Sequence, residues 1–282
     1  MPDWVAPSPF ILLRVIGALL LFGIVFLFFK REKIDKKDIP RLAVCGLFGV
    51  CMNQLLFFHG LNLTSPINAS IIMTANPIMV LILASLLIRE RVNARKITGV
   101  ILGAAGAVML ILSGSSELAD GGSLLGDTFI FINALSYALY LVLVKPLMNK
   151  YKPLTVIFWV FLFGSILVVP FGFQGATTIP WEEMPTDVIS GIIYVIIATT
   201  FLAYLLNIYA LKTVTASVSS SYIYLQPATA MFFAFLAATF FYTTEEGYTD
   251  YSGDFNWYKL MCTLMIFIGV YLVSRRVKPK IR

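Results

Sequence analysis

Charge is scarce in this sequence of 282 residues: Asp, Glu, Lys and Arg make up 13% of it, against 59% hydrophobic residues. With a mean hydropathy of +0.86, too little polar surface remains to cover a water-soluble domain of this length. Cysteine is nearly absent. Cys45, Cys51 and Cys262 each sit inside an apolar run without a CxxC partner, which excludes a disulfide framework and a thiolate metal or redox site. A single histidine, His59, near the outer end of an apolar run, leaves no histidine cluster for a metal. No Asp or Glu falls in the middle of any apolar run, so there are neither paired acids for intramembrane proteolysis nor a DDxxD cluster for diphosphate chemistry. The chain reads as no enzyme, with no cofactor and no metal. Strict polar/apolar alternation is also missing, which excludes barrel strands.

What is present is a series of apolar runs long enough to cross roughly 30 Å of hydrocarbon. They occupy about 10–29, 42–61, 67–88, 97–113, 128–147, 154–173, 188–211, 216–242 and 257–274, nine spans in all. Backbone in a bilayer must satisfy its own hydrogen bonds, so each is expected to be a helix. The fold class is therefore an all-α polytopic membrane protein.

The loops alternate in charge. Segments 30–41, 89–96 and 145–153 hold Lys30, Arg31, Lys33, Lys36, Lys37, Arg41, Arg89, Arg91, Arg95, Lys96, Lys145, Lys150 and Lys152. Segments 62–66, 114–125, 174–187 and 243–256 hold no Lys or Arg. The positive-inside rule makes the basic loops cytoplasmic, together with the tail 275–282. This distribution accounts for the net charge of +6 and leaves nucleic acid no role. Nine crossings then put Met1 outside, and MPDWVAPSP has no signal-peptide pattern. One expectation is a first helix upstream of this sequence; the alternative is a nine-helix protein with a short external tail.

The chain also repeats itself. Leu55, Leu56, Leu61, Ser70, Pro77, Ala84 and Leu86 return 150 residues later as Leu205, Leu206, Leu211, Ser220, Pro227, Ala234 and Leu236, with an amide before each proline, Asn76 and Gln226. Five crossings separate the copies, so they have inverted topology, the ground plan of many secondary transporters. The expected division is a first repeat at 1–113, an external linker at 114–125, a second repeat at 126–274 and the basic tail.

PSPFILLRVIGALLLF, FFHGLNLTSPINASIIMTANPIMVLILASLLIRERV and GVILGAAGAVMLI together resemble the EamA-type repeat of the drug/metabolite transporter superfamily, with a helix-borne Arg14, a mid-helix Pro77 and Glu90 closing that helix. YALKTVTASVSSSYIYLQPATAMFFAFLAATFF is similar to a weaker second copy, with Phe240 where Glu90 would recur. The resemblance implies two inverted five-helix repeats around a central cavity and export of amino acids or related metabolites. It also implies ten helices, of which the first is not in this sequence.

Polar side chains at membrane depth are expensive unless they face the bundle interior or a wet cavity. The cavity candidates are Asn53, Asn76, Asn133, Tyr137, Tyr140, Tyr204, Asn207, Tyr222 and Gln226, with Gln54 and Asn68 in the same class. Asn133, Tyr137 and Tyr140 share one helical face, as do Thr200, Tyr204 and Asn207, and Tyr222 with Gln226. An amide one turn from a tyrosine suits a neutral or zwitterionic solute with an apolar or aromatic body. The alternative for each amide is interhelical glue, worth about 0.6 kcal/mol on average in a bilayer. Arg14 either snorkels to the outer headgroups or turns inward as an anion contact. Pro77 and Pro227 are expected helix kinks. The sequence thus points to an inner-membrane transporter, an exporter of small metabolites by alternating access. A multipass receptor or scaffold and proton-coupled drug efflux are the competing readings; oligomeric state is not encoded.

Overall fold

The computed structural model describes residues 4–28, 32–113, 123–240 and 257–275; the acidic segment 243–256 and most of the linker lie outside them. All regular structure in the described residues is helical. The helices form nine rods: α1 (Pro7–Phe28), α2 (Lys36–Leu63), α3 (66–88), α4 (Ala94–Ser113), α5 (Leu124–Met148), α6 (Pro153–Ala176), α7 (Thr186–Thr213), α8 (216–240) and α9 (Trp257–Ser274). Among the described residues, eight are long and apolar enough to cross a membrane. The remaining rod, α8, passes through a 3-10 turn at Tyr222–Tyr224.

The repeat is written in the backbone. In α2 a π-helical segment, Leu47–Met52, leads into the α-helix Asn53–Leu63; in α7 a π-helical segment, Val195–Leu202, leads into Ala203–Thr213, the same bounds shifted by 150. Each helix ends in an extended residue, Thr64 or Val214. A hydroxyl then caps the next helix: Ser65 accepts from the Asn68 N–H and Thr215 from the Val218 N–H. Both following rods break before their proline. Helix Pro66–Met73 stops at a turn and restarts at Asn76, while in α8 the 3-10 turn precedes Leu225. Proline has no N–H to bond the preceding turn, so the break falls there in both copies.

Small residues set the closest crossings. A Cβ on Gly269 of α9 would lie 2.6 Å from the Gly103 N and 2.7 Å from the Gly99 O of α4, so these backbones touch, as small-residue seams in membranes allow. Gly46 meets the Gly164 backbone in the same way and joins α2 to α6. α5 packs against α2 and α3. Of the most apolar stretch of each rod, 39% of residues are buried in α2 but 11% in α7, its repeat counterpart. Leu206 and Tyr209 of α7 are correspondingly exposed.

α5 also fastens the equivalent turn of each copy. At its start, the Ser123 N–H donates to the Leu63 O at 3.0 Å, and the Thr64 hydroxyl donates to Asp127. At its end, the Lys145 ammonium donates to the Leu211 O and to the Val214 O. Beside this basic end, Arg89 takes a left-handed conformation (φ 53°), the Glu90 N–H bonds back to the Ala84 O, and the Glu90 carboxylate pairs with Lys96 at 2.7 Å. Glu90 therefore does close its helix.

Candidate functional site

Helices α1, α2, α5, α7 and α8 contribute polar residues to a cavity of about 480 Å³, within the usual size for a small-molecule site. Its polar wall comes from Arg14 of α1, Asn53 and Gln54 of α2, Asn133 and Tyr137 of α5, Tyr204 and Asn207 of α7, and Tyr222 and Gln226 of α8. Phe57, Phe58, Met73, Leu141 and Ile223 supply apolar surface.

Tyr204 is the hub of this wall. Its hydroxyl receives a hydrogen bond from Gln54 Nε2 at 3.1 Å and lies 3.1 Å from two acceptors, the Gly49 O and Asn53 Oδ1. Gly49 belongs to the π-segment of α2, where the widened turn redirects carbonyls away from the ordinary helical ladder. α5 bonds the same stretch: the Ser136 hydroxyl donates to the Phe48 O of the π-segment at 2.7 Å, and Asn133 Nδ2 to the Asn53 O just after it at 2.6 Å. Asn207 Nδ2 donates to the Tyr137 hydroxyl at 3.2 Å, linking α7 to α5. The Tyr204 ring stands edge-on to Phe161, 5.0 Å between centroids, which fixes its rotamer.

Arg14 faces inward and is only 8% exposed. Its Nε donates to the Thr200 hydroxyl at 3.1 Å, and the guanidinium carbon lies 4.9 Å from the Phe58 ring centroid and 5.7 Å from that of Phe10. Thr200 in turn donates to the Val195 O, five residues back, the spacing of the π-segment. His59 is tied to Ser8, Nε2 to Oγ 3.0 Å.

Of the candidates read from sequence, the structure brings Asn53, Asn133, Tyr137, Tyr204, Asn207, Tyr222, Gln226 and Arg14 to this one cavity. Gln54 lines it too, whereas Asn68, Asn76 and Tyr140 do not. Asn76 is fully buried and spends its Nδ2 on the Ala134 O at 2.8 Å, so it ties α3 to α5. Tyr140 is 1% exposed and lies against Gly49, where any side chain would collide with its ring. Sequence reasoning missed Phe57, Phe58, Ser219 and Ser220, which also line the cavity. Helical spacing from the candidates would have found Phe57, four residues after Asn53.

The EamA-like transporter family matches residues 3–112 and 124–240, one copy in each half. The chain belongs to that family. An uncharacterized transporter of Archaeoglobus fulgidus is 28% identical over 214 residues, 75% of this chain and 73% of that protein. The uncharacterized transporter YyaM of Bacillus subtilis is 26% identical over 224 residues, 79% and 73% of the two chains. A WAT1-related protein of Arabidopsis thaliana is 27% identical over 301 residues, 95% of this chain and 77% of that protein. A solved protein structure superimposes with a TM-score of 0.73 at 15% identity, over 96% of this chain and 89% of that one, a likeness of fold. The protein is a multipass membrane protein of a transporter family.

Proposed function

We propose that this chain exports small metabolites across a bacterial-type inner membrane by alternating access, with the cavity as the solute site and the basic loops on the cytoplasmic face. The observation that carries the reading is the cavity's lining: both copies of the repeat contribute to it, Asn53 and Gln54 just after one π-segment and Thr199, Ala203 and Tyr204 in or just after the other, and repeat transporters hold their cargo between their repeats. The repeats are taken as 1–113 and 126–274. Mid-rod breaks before Pro77 and Pro227 give each half a place to bend. The turn held by Lys145 and the turn held by Ser123 and Asp127 are the natural seals at the two ends of α5. A receptor or scaffold would not need a polar cavity at membrane depth, and each buried amide there has a cost. Proton-coupled drug efflux lacks support, because the cavity lining contains no Asp or Glu.

The test is release of solutes from liposomes that contain the purified full chain and are loaded with a bacterial metabolite extract, read by mass spectrometry. Selective loss of a few solutes is expected. Gln226→Leu should abolish that loss at unchanged membrane insertion, and unchanged release would remove Gln226 from the site.

A further inference from the structure

Helices α1 and α6 come from different copies of the repeat and pack antiparallel, with Ser8 against Gly172 at one end and Phe26 against Phe158 at the other. The two ends differ. Away from the basic loops the helices touch: a Cβ on Gly172 would lie 2.6 Å from the Ser8 O, and one on Gly175 2.7 Å from Pro9 Cγ. At the basic end the stacked rings of Phe26 and Phe158, 4.7 Å between centroids, stand between the helices, and a Cβ on Gly23 would meet only Phe158, at 3.7 Å. A groove of about 650 Å³ results, lined by α1 and α6 and apolar except for the Trp159 indole and Glu32. Leu20, Ile24 and Leu27 of its wall are exposed, so it opens sideways to the bilayer.

The polar end of the groove is built. Glu32 Oε2 accepts from the Lys152 N–H and from the Thr155 hydroxyl, both at 2.9 Å, which fixes the carboxylate at the start of α6. Its Oε1 takes no hydrogen bond from the described residues. Asp35 and Asp38 of the same loop are already paired with Lys150. Lys33 and Lys152 flank Glu32 and are exposed, and neither ammonium has a partner among the described residues. Trp159 lies six residues, about 9 Å, inside the start of α6, the interfacial depth at which tryptophan is enriched. From membrane to water the groove thus offers an apolar trough, an indole N–H, and a carboxylate between two ammoniums. That order complements an acyl chain, an ester, and a headgroup carrying both phosphate and ammonium.

We propose that this groove binds a phospholipid with a primary-ammonium headgroup from the leaflet on the basic side. One acyl chain lies over Gly23 between Leu20, Ile24 and Leu27; the Trp159 N–H meets an ester oxygen; the ammonium donates to Glu32 Oε1; Lys33 and Lys152 take the phosphate. A quaternary ammonium has no N–H to give Glu32, and an anionic headgroup without an amine leaves that carboxylate unpaired. A helix with its side chains is about 10–12 Å wide, whereas the floor of this groove is the space of one absent side chain at Gly23, a width that suits a single hydrocarbon chain. Because α1 and α6 belong to different copies, the lipid bridges the two halves of the protein.

Native mass spectrometry of the purified full chain in detergent reads the preference, with phosphatidylethanolamine, phosphatidylcholine and phosphatidylglycerol of identical acyl chains as probes. The first lipid retained should be phosphatidylethanolamine, by at least about fivefold over each of the others, within what one charge-assisted hydrogen bond supplies at a partly exposed site. Glu32→Gln keeps an oxygen for the Lys152 N–H and Thr155 but removes the charge, and should erase the preference. Gly23→Leu has room for its Cβ and fills the trough, so it should weaken the first lipid by at least about fivefold at an unchanged unfolding midpoint. Phosphatidylethanolamine with a photoreactive diazirine in its acyl chain should label residues 19–27 and 158–162 of the wild-type chain. The wild-type comparison and the labelling need no variant and stand even if a variant fails to fold. Equal retention of the three lipids, a preference for phosphatidylglycerol, or labelling spread evenly over other helices would overturn the proposal. A dimeric mass with the groove shielded from the label would assign this face to a second copy and overturn it too. None of these outcomes depends on which solute the cavity carries.

Discussion

Lys145→Met asks whether a single side chain holds the basic end of the bundle shut. The Lys145 ammonium donates to two carbonyls, those of Leu211 and Val214, at the end of helix Ala203–Thr213. These carbonyls have no partner further along their own helix and carry the negative end of its dipole, so a cation is well placed there. A hydrogen bond to a charged group contributes roughly 1.5–3 kcal/mol net. Two bonds share one ammonium that regains water when released, so the pair is worth about 3 kcal/mol. At 1.4 kcal/mol per factor of ten, its loss raises the population open at this end by about 10²-fold. Methionine keeps the length and apolarity of the stem and removes only the charge. The reporter is Ser220→Cys, because Ser220 lines the cavity and is 1% exposed. Buried Cys45, Cys51 and Cys262 are replaced by alanine. Reaction with a membrane-impermeant maleimide is followed in vesicles of both orientations. The rate from the Lys145 side should rise by one to two orders of magnitude in Lys145→Met and stay within a few-fold in Lys145→Arg. Equal rates in Lys145→Met and the parent, both with unchanged thermal unfolding, would refute the latch.

Tyr204→Phe should lower both thermal stability, by about 1–3 kcal/mol for the polar groups left unpaired, and solute affinity. Tyr140→Phe, whose hydroxyl has no partner among the described residues and does not face the cavity, should do neither, as paired denaturation and binding curves will report. Gly269→Val should cost at least about 2 kcal/mol, because the new Cβ meets backbone atoms of Gly99 and Gly103 that cannot turn aside, and should lower the unfolding midpoint in detergent without changing solute affinity. Burial works against the charged form of Glu90, yet the Lys96 ammonium bonded to it at 2.7 Å, with the Ser217 and Thr215 hydroxyls nearby, outweighs it and holds the carboxylate below its ordinary value of 4.5. A depressed folded pKa stabilises above the unfolded value and is lost as pH falls through the folded one. The stability advantage of the parent over Glu90→Gln should therefore be constant above about pH 4.5 and shrink below it, in unfolding curves recorded across pH.

The repeat was legible because the devices that build it need particular residue types at fixed places. A proline removes one helical hydrogen bond and a Ser or Thr can cap the helix that follows, and Pro77 and Pro227, like Ser65 and Thr215, stand at one interval in sequence and in structure. The apolar runs were legible for the same kind of reason, since only continuous apolarity crosses lipid. The π-segments were not, because no residue type in Leu47–Met52 or Val195–Leu202 demands the wider turn. In α2 its carbonyls meet partners on other helices, Tyr204 at the Gly49 O and Ser136 at the Phe48 O, while in α7 the Thr200 hydroxyl takes up the Val195 O.

Side-chain fate within the candidate face shows the same divide. Tyr137 and Tyr140 sit on one helical face with their rings tilted and 5.9 Å between centroids, yet Tyr137 reaches the cavity, whereas Tyr140 sinks into the space that Gly49 leaves by having no side chain. Asn76 and Gln226 are equivalent in the repeat. Asn76 meets α5 and ties it through the Ala134 O; Gln226 stays exposed and borders the cavity. Helical period tells which residues share a face, but what that face meets is decided by a helix far along the chain. The cavity is the place where the two copies stop being equivalent: α5 covers α2 and α3 of the first copy, while no described rod sits in the same way on α7 and α8. Gln226 thus stays exposed where α5 ties its counterpart Asn76. Two copies of one plan thus come to differ through that unequal cover, and substitutions at equivalent positions should have unequal effects: Asn76→Leu on stability, Gln226→Leu on transport.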